Sequence, residues 1–177
     1  TGNAIRFNSI FSETNVALLK EYFQFYEKYY WQINEELTVQ LADHPLFGPL
    51  IKMIPPEQQK LQSQRSLEMQ RAAIYEGKWD EYMEDLVMQG KMYAHMNITY
   101  RDWYEIVKMY KDYLLPYLKK DYAADTDKAL NIISGLSIFI DYTMYGIAES
   151  FFREKNEVIQ RMNDELEQKV EQRTKEL

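Results

Sequence analysis

Two histidines, His44 and His95, are the whole imidazole inventory of this 177-residue chain, and it has no cysteine. Disulfides, cysteine–zinc sites, thiolate haem ligation and cysteine catalysis are therefore outside its repertoire, a composition compatible with a reducing cytosol. Neither histidine has a second nitrogen nearby for a zinc site, and no Glu-x-x-His pair exists, which rejects a di-iron helical bundle. Carboxylates gather at Asp80, Glu81, Glu84 and Asp85, but mainly opposite an apolar stripe, where a solvated helix face belongs. No nucleophile motif or glycine-rich phosphate loop accompanies them. The segment is expected to have no catalytic residue and no metal site, and so not to be an enzyme itself. Aromatic residues are what remain, with 15 Tyr and 3 Trp.

Helices must position those residues, because helical spacing dominates and no stretch alternates for long like a half-buried strand. The first helical region runs from about Glu13 to Ala42, as one bent helix or two, and is dense in aromatics from Tyr22 to Trp31. His44-Pro45 ends it, and Gly48, Pro49, Pro55 and Pro56 mark a loop or short turn. A polar helix from Glu57 to Tyr75 is closed by Gly77. Trp79, Tyr82, Met83, Leu86, Val87, Gly90, Tyr93 and Ala94 then give a helix from Lys78 to about His95 a clear apolar face. Taking Trp79 as zero and about 100° per residue, Tyr93 falls near about −40°, inside that face, and His95 near about 160°, on the opposite one. His95 is thus expected at the surface or helix end, and Tyr93 in the core with its hydroxyl hydrogen-bonded. Thr99 with Asp102 starts another helix, whose stripe from Trp103 through Ile106, Val107, Tyr110 and Leu114 reaches Pro116. After a polar link at Asp121 to Asp125, the last helix begins near Thr126. No proline interrupts it before Leu177, so unbroken it holds about 50 residues and measures about 75 Å.

With 46% hydrophobic residues and only 6 Gly and 5 Pro, the chain reads as a compact, mostly helical protein. Its length fits one domain over residues 1–150 and a tail over 151–177. A formal charge of −7 without a basic face argues against nucleic acid or an anionic membrane as the main partner. No secretion signal is visible in TGNAIRFNSIF. The most apolar stretch, Ile132 to Ala148, is too short for a membrane span and contains Asp141, so a buried helix is expected. From Asn156 to Leu177 there is no Gly or Pro, about half the residues are charged, and a heptad appears. Phe152, Ile159, Leu166 and Arg173 at d place Asn156, Asn163, Val170 and Leu177 at a, the seam of a parallel left-handed coiled coil in which single Asn residues fix register. The tail should pair with its own copy through Phe152, Ile159, Asn163, Leu166 and Val170. Because the seam stops in mid-heptad, further chain is expected beyond it.

The segment MNDELEQKVEQRTKEL resembles the signalling helix that enters the dimerisation and phosphoacceptor domain of bacterial sensor histidine kinases, matching at Asn163, Glu165, Leu166, Glu167, Val170, Arg173, Thr174, Glu176 and Leu177. Upstream, long first helices, a proline break, Gly77-x-Trp79-Asp80-x-Tyr82 and the run from Gln89 to Tyr104 resemble the globin-coupled sensors, over about Val16 to Ala148. That resemblance implies an all-α, globin-like sensor domain ahead of an output module, with the tail fitting the kinase branch. In its haem-binding members a histidine lies three residues after the glycine matched by Gly90 and eleven after the tyrosine matched by Tyr82. Both counts land on Tyr93, and His95 misses by two. Counting back seven residues from Pro45 reaches Thr38, where haem sensors often have an oxygen-stabilising tyrosine. Both halves of the haem site look lost, as in the non-haem globins of stressosome regulators.

The resemblance therefore implies a cytoplasmic, homodimeric sensory domain with no cofactor, and with Thr38, Trp79, Tyr93 and Met96 around a vestigial pocket for a small apolar ligand or a partner. The alternative it leaves open is a sensor of diatomic gases with haem b held by Tyr93 or His95. Tyrosine ligates haem as its phenolate, which needs a cationic or metal neighbour to lower its pKa. A third reading is a ligand-free dimerisation scaffold.

Overall fold

A computed structural model describes residues 12–176, and every element in that range is an α-helix. They are α1 (Glu13–Ala42), α2 (Phe47–Met53), α3 (Pro56–Glu76), α4 (Trp79–His95), α5 (Tyr100–Tyr122) and α6 (Thr126–Glu176). The N-terminal stretch read for a secretion signal and Leu177 at the end of the seam lie outside the described residues.

Local chemistry accounts for most boundaries. Ser12 caps α1 by accepting from the Asn15 backbone N–H, and α1 continues as one helix rather than two. The stretch from Leu46 to Pro56, expected to be a loop, contains α2. The His44 ring nucleates it, since Nδ1 accepts from the N–H groups of Leu46 at 3.2 Å and Phe47 at 3.4 Å. Pro49 sits in the first turn, where its missing N–H costs nothing. Gly77 closes α3 in the left-handed conformation, with φ 71°. Thr99 and Asp102 form a reciprocal capping box at the start of α5. The stripe expected to reach Pro116 belongs to a helix that continues past this proline to Tyr122, next to the expected polar link. Pro116 lies on the exposed side, where water solvates the carbonyl it frees, and Leu114 and Leu118 bury the opposite side on either side of it.

α6 is the structural axis, packing chiefly against α4 and α1 and along part of α5. Its buried residues, from Ile132 through Phe139 and Tyr142 to Phe151, form one inner face. The expected buried helix over Ile132 to Ala148 is part of it, although α6 is 51 residues long and by length and composition alone passes as a membrane-span candidate. A core helix passes the same test, and α6 turns this face to α1 and α4.

Small residues let the backbones approach. A Cβ at Gly90 would overlap the Ser150 hydroxyl and lie 2.5 Å from the Ile147 carbonyl oxygen. One at Gly146 would meet Met83 Sδ at 2.9 Å, and one at Gly135 would run into the Leu18 carbonyl of α1. Aromatic rings fill the space beyond. Tyr22 stacks on Tyr26 with centroids 5.6 Å apart, and Tyr82 stacks on Phe139 at 5.7 Å.

These approaches set up a comparison of two glycines. Gly90→Ala should destabilise the fold by about 3 kcal/mol, because the obstacle includes α6 backbone that cannot rotate away. Gly77→Ala, with open space around its Cβ position, should cost only the left-handed backbone term of about 1 kcal/mol. Urea denaturation of both variants measures the difference, and equal losses would mean that α4 and α6 are not closely seated.

Candidate functional site

The five long helices line a partly open cavity of about 220 Å³. α1 contributes Tyr26 and Leu37, α3 Ser66 and Gln70, and α5 Trp103 and Tyr110. α4 supplies Tyr82 and Tyr93, while α6 provides Phe139, Ile140, Thr143, Met144 and Ile147. No lining side chain is charged. The walls are rings and aliphatic chains interrupted by a few amides and hydroxyls, the make-up of a small-molecule pocket.

Several polar groups of the wall are already engaged. The Tyr82 hydroxyl and Thr143 Oγ1 share a hydrogen bond of 3.0 Å, joining α4 to α6. Tyr22 and Tyr110 are joined through their hydroxyls, and the Gln89 amide donates to Asp85 at 2.7 Å. Gln70 is different. It is 8% exposed, its Nε2 donates to Ser66 Oγ at 3.1 Å, and its Oε1 is buried without a partner. An unpaired buried acceptor costs about 1–3 kcal/mol, so a donor reaching it stabilises the complex.

Burial pushes the Tyr93 phenol up to about 12, with repulsion from Asp85 adding to it. Tyr22, Tyr26, Tyr82 and Tyr110 are raised as well, first of all by burial. That direction is opposite to what phenolate ligation of haem iron requires. His95 lies outside the cavity, on the face the helical phase assigned to it. Its side chain is 59% exposed and its Nε2 is 2.8 Å from Glu154 Oε1. His44 is occupied as the cap of α2, with Nε2 4.0 Å from Asp102 Oδ1. Among the described residues no cluster of His, Asp and Glu is arranged to hold a metal.

Of the pocket candidates read from the sequence, the structure brings Tyr93 to the cavity and leaves the other three elsewhere. Thr38 Oγ1 donates to the Asn34 carbonyl at 2.7 Å. Trp79 is buried, but its ring packs on Tyr142 at 5.0 Å near the start of α4. Met96 forms the C-cap of α4 and packs half-buried against the core. A pocket drawn from α4 and the end of α1 therefore missed its other walls. The signal for Gln70 was present: Leu67, Gln70, Ala73 and Ile74 share the buried side of a helix otherwise read as polar.

No known protein family, curated protein or solved structure matches the chain.

The second notable surface lies on α6 beyond the core. Phe152 is 50% exposed, Ile159 55%, Leu166 61% and Val170 57%, and Asn156 and Asn163 are exposed between them. Ile159 lies twenty residues beyond Phe139, about 160° round the helix, so this stripe faces away from α1 and α4. Lys, Glu, Gln and Arg occupy most of the remaining circumference.

The tyrosine environment generates a pH prediction. A tyrosine raised by folding keeps its proton where the unfolded one, near pH 10, loses it. Stability is then complete below pH 10 and falls as pH rises toward the folded values, by about 1.4 kcal/mol per unit for each such group. Spectrophotometric titration should show the buried tyrosines ionising steeply, together with loss of helical circular dichroism, above pH 10. Gradual ionisation of all 15 Tyr with helicity intact would contradict the buried cluster.

Proposed function

We propose that this chain is the sensory input domain of a cytoplasmic signalling protein, globin-like in arrangement, working as a homodimer without haem and passing its state along α6 to an output module. One observation carries the reading: α6 supplies five side chains to the cavity wall and continues unbroken into an exposed heptad stripe. A change in the cavity and a change in the coil are thus changes in one stiff rod about 76 Å long at 1.5 Å per residue. Long helix pairs transmit by small shifts or rotations between discrete packings, which biases a downstream two-state element.

Further features support the parts of this reading. The globin-like arrangement is supported by a long aromatic α1 lying against α2, α3, α5 and α6, with a proline break behind it and the last long helix at the centre. The coiled coil is supported by apolar side chains that stay exposed in one chain while their neighbours are charged, and by Asn156 and Asn163 at seam positions. Because the seam points away from α1 and α4, a second copy can lie against it without displacing them, the Phe152 ring at its start packing on Tyr100 of α5. The resemblance of Asn163 to Leu177 to a kinase signalling helix makes a histidine kinase the output we favour. A reading without haem is supported by the neutral, partly buried Tyr93 and by His95 being held outside by Glu154.

Leu166→Lys tests the pairing. Light scattering across a dilution series should show the variant dissociating at a concentration at least about tenfold higher than the parent, since a charge on each copy replaces an apolar seam contact. Identical dissociation would mean that α6 does not pair through this stripe.

A further inference from the structure

Resting on the reading of this chain as an input domain, we propose that the cavity receives a small neutral phenol, its ring between the tyrosine and phenylalanine walls and its hydroxyl on Gln70 and Tyr93.

Size sets the first limit. An apolar cavity of about 150 Å³ accommodates benzene, so 220 Å³ has room for one ring with one or two substituents. Charge sets the second limit. The wall has no ionisable side chain other than tyrosine, and burial together with Asp85 holds Tyr93 neutral. An anion entering this space would find no cation, and its desolvation would go unanswered. Wall chemistry supplies the third, because Tyr26, Tyr82, Trp103, Tyr110 and Phe139 present ring faces and edges that favour an aromatic guest.

Polar atoms decide which aromatic. Gln70 Oε1 is a buried acceptor with no donor, and its terminal torsion is soft enough to turn toward a guest. The Tyr93 hydroxyl makes no hydrogen bond among the described residues, although the ring lines the cavity. A phenolic hydroxyl both donates and accepts, so one group on the ligand answers Gln70 and Tyr93 together. A plain arene leaves both as they are. Gln70 projects from α3 and Tyr93 from α4, whereas Phe139 and Thr143 belong to α6. Such a guest would therefore link two helices directly to the face of the outgoing rod.

Titration calorimetry on the whole chain with p-cresol, toluene, benzoate and benzylamine tests the class. In the parent, p-cresol should bind at least about tenfold more tightly than toluene, the worth of one buried hydrogen bond, and more tightly than either ion. Gln70→Leu should bring p-cresol most of the way to the toluene value and leave toluene unchanged, and Tyr93→Phe, which keeps the ring, should weaken p-cresol several-fold. Equal affinity for toluene and p-cresol in the parent overturns the proposal without needing any variant to fold. Tighter binding of benzoate or benzylamine overturns it too, as does p-cresol affinity unchanged in both variants. Light scattering on the same samples separates the two claims. No arene binding by a chain that still dimerises removes the phenol and leaves the input-domain reading. Selective p-cresol binding by a chain that stays monomeric at every concentration supports the phenol and removes the dimeric reading.

Discussion

The close seating of α6 on α4 and α1 is the constraint on which the rest of the structure depends. Gly90, Gly135 and Gly146 leave no room for a methyl group between these helices, so the inner face of α6 has one seating available. Side-chain interdigitation alone would tolerate small slips at little cost. Backbone against backbone does not, because carbonyl oxygens such as those of Leu18 and Ile147 cannot change rotamer. Once that seating is fixed, so is the phase of everything that follows on the same helix. The heptad beyond Phe151 emerges on the side opposite Phe139 as a consequence of helix geometry.

The same seating defines the cavity. Tyr82 reaches across to Thr143 and stacks on Phe139, so the α4–α6 contact holds one wall, while Tyr26 and Tyr110 hold the wall toward α1 and α5. Tyrosines can line such a space because each has an apolar ring to bury and a hydroxyl that usually finds a partner. Gln70 breaks this pattern, since its Oε1 is buried and without a partner. A polar atom left in that condition marks a place where protein packing alone is not the optimum.

How much of this was legible in the sequence depended on whether the signal was local or remote. Thr99 with Asp102, Gly77 and the Trp79 to Ala94 stripe identify their elements because capping, left-handed backbone and helical period are properties of a few neighbouring residues. The same period assigned Tyr93 and His95 to opposite faces, which is where they lie. α2 was missed because its nucleation depends on the orientation of the His44 ring. The apolar stripe was read only as far as Pro116, because whether a helix runs on past a proline depends on which side water reaches. The cavity could be read only in part: Tyr93 belongs to a strong stripe, but Gln70 and Thr143 become neighbours of that stripe only through tertiary packing. Trp79 opens α4 and Met96 caps its far end, both away from the cavity.

The central claim is that one helix is core along its first half and a partner-seeking coil along its second. Alone in water, an exposed segment such as 152–176 is marginal, because a helix of that length gains little without a packed face. Backbone hydrogen exchange followed by mass spectrometry at several protein concentrations addresses this directly. The account predicts that amides in 130–150 are strongly protected at every concentration, whereas protection across 156–176 rises with concentration as the seam pairs. Exchange in 156–176 that is fast and indifferent to concentration would contradict it.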